Sequence, residues 1–104
     1  MGRMKDYAID LRNACCAEVG VPIDSPRAKL VMSAASAADH WYATHPMPCG
    51  GPAALKRHHA ACKAAVSSDI RCQFGIVTWL SIAWYLLSLV RTVWRFREEP
   101  EDVI

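Results

Sequence analysis

Through the first nineteen residues, apolar side chains recur at every third or fourth position. Met4, Tyr7, Ala8, Leu11, Ala14 and Cys15 share one face, which Glu18 ends. That spacing predicts an amphipathic helix from Arg3 to Val19. Gly20 can take a left-handed cap, and Pro22 prevents continuation. A second helix is expected from "DSPRAKL", with Ser25 as its N-cap and Pro26 at the first helical position, where a missing N–H costs nothing. It runs to about Thr44. Its middle, "SAASAAD", is built of small residues that let a partner helix approach closely, and Trp41 and Tyr42 add bulk near the end. "HPMPCGGP" then predicts a turn. Gly51 and Pro52 open a third helix in which Gly75 is the only breaker before Glu99. One helical glycine costs only about 1 kcal/mol against alanine. The expectation is therefore a continuous rod of roughly 65–70 Å, too long for the preceding helices to cover.

Within that rod lies "CQFGIVTWLSIAWYLLSLV", residues 72–90, without a formal charge and bounded by Arg71 and Arg91. Nineteen helical residues span roughly 28 Å, close to the hydrocarbon thickness of a bilayer. The stretch is therefore expected to be a transmembrane helix, extending over 72–94. Arg71, Arg91, Trp94 and Arg95 stand at its boundaries as interfacial anchors. Thr78, Ser81, Tyr85, Ser88 and Thr92 follow spacings of 3, 4, 3 and 4 and fall within an arc of about 80° on a straight helix. Small and hydroxyl residues mark where helices pack in lipid, so this stripe is the candidate partner interface. The competing reading is that each hydroxyl bonds back to its own helix.

Charge adds little. Residues 1–71 carry nine Lys/Arg and six Asp/Glu, and residues 91–104 carry three Arg and four acids. A net charge of +2 does not point to nucleic acid. "MGRMKDYAIDLRNACC" has no apolar run and carries acids early, unlike a secretory signal or a transit peptide. Targeting information is therefore expected inside the chain.

The cysteines are Cys15, Cys16, Cys49, Cys62 and Cys72, all candidates for disulfides. Cys62 and Cys72 enclose nine residues. Over about eleven residues this resembles one half-motif of the coiled-coil-helix-coiled-coil-helix proteins of the mitochondrial intermembrane space. Those proteins carry a second half-motif, which this chain lacks. Cys62 and Cys72 cannot pair with each other on one helix, because ten residues separate them by roughly 15 Å. Cys15, Cys16 or Cys49 remain as partners, as does the option that all are free. His58 or His59 with Cys62 could share a helix face, and His45 and Cys49 precede them. No CxxC, CxxCH, HExxH, GxSxG or glycine-rich phosphate loop occurs, so neither metal, cofactor, small-molecule substrate nor catalysis is expected.

The sequence thus predicts an all-α, single-pass membrane protein. A two-helix hairpin region (1–51) folds onto the water-exposed half of a long helix (52–71), followed by a transmembrane helix (72–94) and an acidic tail (95–104). The expected role is a non-catalytic accessory subunit of a membrane complex, its partners being other membrane subunits and the bilayer. The Cys-x9-Cys spacing suggests the respiratory chain of the mitochondrial inner membrane, with the cysteine-bearing amino-terminal region in the intermembrane space. The alternative is a small self-oligomerising pore former resembling a phage holin.

Overall fold

A computed structural model describes the backbone of residues 3–46 and 49–98 and the side chains of 9–46 and 49–97. Met4, Tyr7 and Ala8 of the first predicted face, positions 47–48 of the predicted turn and the acidic tail from 99 onward lie outside the described residues or side chains. The described residues are all-helical: α1 (Arg3–Val19), α2 (Pro26–Thr44), α3 (Gly51–Phe74), α4 (Ile76–Ala83) and α5 (Leu86–Glu98).

α1 and α2 occupy the predicted spans. Gly20 takes φ +73°, and the Val21 amide returns to the Cys16 carbonyl at 2.9 Å, which closes α1. Ser25 stands at the start of α2 in extended conformation, but its hydroxyl donates to the Pro22 carbonyl at 2.8 Å instead of capping the helix. The small residues of α2 do what their size permits. Ala34, Ala35 and Ala38 are completely buried, and α1, α3 and α5 all pack on this helix.

The continuous third rod does not form. Gly75 leaves the helical region at φ +95°, ψ 164°, a conformation that L side chains rarely adopt. Its amide still bonds to the Arg71 carbonyl and its carbonyl accepts from Trp79, so one helix ends and another begins on the same residue. A second interruption falls at Trp84–Tyr85, where the Tyr85 amide makes a tight three-residue turn to the Ile82 carbonyl. α4 and α5 meet there at 69°. The molecule accordingly measures 35 × 33 × 22 Å, far shorter than a 65–70 Å rod.

The corner divides the uncharged stretch between two environments. Leu86, Leu89, Val90 and Val93 repeat at helical spacing on α5 and are all completely buried. α5 packs against α1, α2 and α3, so it is the central helix of the bundle. α4 lies at the edge, mainly on α3, and sends Ile82 inward.

Candidate functional site

The face of α4 opposite Ile82 carries no polar side chain and has no cover. Val77 is 81% exposed, Trp84 77%, Ile76 62% and Leu80 56%. Phe74, just before Gly75, and Leu87, just past the corner, are exposed as well. Together these six residues give the α4 edge an exposed apolar ridge, and large apolar patches are rare on monomeric soluble domains. The local sequence explains the ridge. α4 consists of "IVTWLSIA", so a helix of this composition is apolar on nearly every side and can bury only one.

Cations border the ridge. Arg71 lies over the Trp79 ring, 4.8 Å from its centroid. Arg27 reaches from α2 to donate to the Ser81 carbonyl at 2.9 Å. Arg91 shares a recess with Leu87. No single helix among the described residues is long and apolar enough to cross a membrane. The bent pair α4–α5 meets that requirement only when taken together.

The predicted hydroxyl stripe is divided by the corner. Thr78 and Ser81 stand on α4, Tyr85 at the turn, and Ser88 and Thr92 on α5. Ser81 donates to the Thr78 carbonyl at 2.6 Å and Thr92 to the Ser88 carbonyl at 2.9 Å, so these hydroxyls satisfy themselves within their own helices. Tyr85 and Thr92 are buried in the bundle, whereas Ser88 is exposed. Of the predicted interfacial anchors, Arg91 and Arg95 are exposed on α5. Trp94 is instead half-buried against the core, with Tyr42, His58 and His59 around it at ring separations of 5.0–5.9 Å. The tryptophan that faces outward is Trp84, which sequence reasoning left unassigned because a straight helix made it one of several equivalent apolar positions.

Three of the four histidines, His45, His58 and His59, gather where the end of α2 meets the first part of α3. Trp41 stacks on His45 at 4.0 Å, His58 Nε2 lies 3.2 Å from the His45 carbonyl, and the Tyr42 hydroxyl lies 2.8 Å from His59 Nδ1. Burial, then the charge of Arg91 and then His58 hold the His59 pKa below the ordinary histidine value. Burial pushes the Tyr42 hydroxyl well above its usual range and the neighbouring Cys62 thiol up to about 12. Cys15 is also pushed up to about 12 by burial first and by Cys16 next. Such thiols stay protonated and weakly nucleophilic at neutral pH. All five cysteines are free, with Cys15, Cys16 and Cys62 buried and Cys49 and Cys72 exposed. Among the described residues, no group of three or more His, Cys, Asp or Glu is placed to hold a metal ion.

No protein-family model matches the chain, and no curated protein or solved structure shows significant similarity to it.

Proposed function

We propose that the protein is a non-catalytic accessory subunit that attaches to a membrane through the α4 ridge. The observation that carries this reading is the uncovered row Ile76, Val77, Leu80 and Trp84, bordered by Arg27, Arg71 and Arg91. A helix with an apolar face bearing a tryptophan and with basic flanks lies well in the boundary between headgroups and acyl chains. Docking in that plane leaves Leu86, Leu89, Val90 and Val93 in the core. A straight span over 72–94 would withdraw all four from it.

The spanning form is the second reading, and one observation favours it. Trp84 keeps helical dihedrals, φ −69° and ψ −21°, and no proline or glycine stands at the corner. Packing alone holds the bend, so a bilayer could straighten it. Placement at the mitochondrial inner membrane within a respiratory complex rests on the Cys62–Cys72 spacing, and self-assembly into a pore on the hydroxyl stripe.

Flotation with phospholipid vesicles, followed by an alkaline carbonate wash, tests the proposal. The protein should float with the vesicles and be released by the wash. Retention after the wash would establish the span instead. Failure to float with any vesicle composition would refute membrane attachment.

A further inference from the structure

A recess of about 490 Å³ opens between α3 and α5, on a side of α5 away from its buried stripe. Ser88, Arg91 and Arg95 line it from one face of α5, at spacings of three and four, together with Trp94. His59 enters from α3. An adjoining recess of about 500 Å³ shares His59 and Arg91 and adds Lys56, so two helices direct their basic side chains toward one place. Among the described residues, Glu18 at the end of α1 is the one acid on the wall.

These arginines differ from their neighbour Arg97, which pairs with Asp39 at 2.9 Å. Neither Arg91 nor Arg95 has an ion-pair partner among the described residues, and Glu18 pairs with neither. Their backbone positions are fixed, because Leu89, Val90 and Val93 anchor the same turns in the core. A solvated basic face would spread such charges over open surface. Here they line a concave wall beside a serine hydroxyl and an indole. A guanidinium presents a planar fork of N–H donors that matches the oxygens of a phosphate, and two of them one helical turn apart can share one. His59 Nδ1 lies 2.8 Å from the Tyr42 hydroxyl, and in the neutral tautomer that accepts a hydrogen bond there, Nε2 carries the ring proton and can donate.

We infer that this recess binds a phosphate ester, with Arg91 and Arg95 as the principal ligands, Ser88 and His59 as supporting donors, and Lys56 contributing from the adjoining recess. Leu55 lines both recesses and Leu87 the adjoining one, and this apolar wall suits an ester with a carbon substituent better than a bare ion. Leu87 is also the last residue of the α4 ridge. A phospholipid headgroup is therefore one source of the ester, and a soluble phosphate ester is the other.

Two binding series separate the sources. Calorimetric titration with glycerol phosphate reads the soluble arm. Flotation with vesicles of phosphatidylcholine, with and without phosphatidylglycerol, reads the lipid arm. Saturable binding in either arm that weakens at least tenfold in Arg91→Gln/Arg95→Gln, and is kept in Arg97→Gln, supports the inference and identifies the source. Both arginines are exposed, and circular dichroism verifies that the double variant stays folded. If it does not, the single variant Arg95→Gln serves, with a threefold or greater loss expected. Glu18→Gln should tighten binding by removing the opposing carboxylate. Absence of binding in both arms, or equal binding by wild type and the arginine variants, overturns the inference. Trp84→Ser keeps this outcome apart from the membrane proposal, because it should leave glycerol phosphate binding unchanged whether or not it alters flotation.

Discussion

Trp84→Ser removes the largest side chain of the ridge and leaves every buried side chain in place. Full coverage of an aromatic side chain buries roughly 150–250 Å². Trp84 is 77% exposed, so about 150 Å² of it awaits cover. At about 25 cal/mol per Å² that is worth roughly 4 kcal/mol when completely buried. A ring lying in a membrane boundary is covered on about one side, which halves the figure to about 2 kcal/mol. The vesicle partition coefficient should then fall roughly 30-fold. The cost to folding is smaller. Among the described residues its ring contact is an edge-on arrangement with Tyr85 at 4.9 Å, a geometry worth about 0.5–1.5 kcal/mol. Co-sedimentation over a lipid titration measures the partition coefficient, and circular dichroism verifies the fold. A folded Trp84→Ser protein that partitions within twofold of wild type would refute the reasoning, because the most exposed apolar area would then contribute nothing.

The remaining predictions address the bundle itself. Ile82→Ala should cost about 2–5 kcal/mol and lower the thermal midpoint clearly, since Ile82 is the fully buried residue that ties α4 to the core. Gly75→Ala should destabilise by about 1–3 kcal/mol in urea titration, because a side chain at φ +95° is strained although its Cβ would meet no atom within 4 Å. The His59 pKa is held below its unfolded value, so the unfolded chain binds the proton first as pH falls. Stability from this residue is fully present above about pH 6.5 and is lost as pH falls through the depressed folded value. Thermal melts at pH 7.5 and 5 should therefore diverge less in His59→Gln than in wild type.

The elements differ in how plainly the sequence announced them. α1 and α2 follow from local rules alone: a three-and-four periodicity ended by Glu18, a glycine and a proline to close α1, and Pro26 to open α2. The start of α3 at Gly51 and Pro52 is of the same kind. The two breaks after it are not. A glycine inside an apolar helix is cheap to keep helical, and only the return of α5 onto α1, α2 and α3 makes the left-handed conformation at Gly75 worthwhile. The corner at Trp84–Tyr85 has no local signal at all, because both flanks are good helix and tertiary packing alone decides the angle. Once it bends, one uncharged stretch becomes a core helix and an exposed ridge. The hydroxyl stripe ceases to be a line, and Trp94 turns partly onto the core among Tyr42, His58 and His59. The recess at Arg91 and Arg95 was equally hidden, since both residues had been read as flanks of a span and their neighbours Lys56 and His59 belong to another helix.

The most direct measurement of the central claim is depth-resolved quenching of tryptophan fluorescence by phospholipids brominated along the acyl chain. Vesicle-bound wild type should be quenched by bromines near the headgroup more strongly than by bromines at the bilayer centre. Trp84→Phe, which keeps the ridge apolar, should lose most of that quenching. Quenching that is absent, or that survives unchanged in Trp84→Phe, would contradict the assignment of the α4 ridge as the membrane-contacting surface.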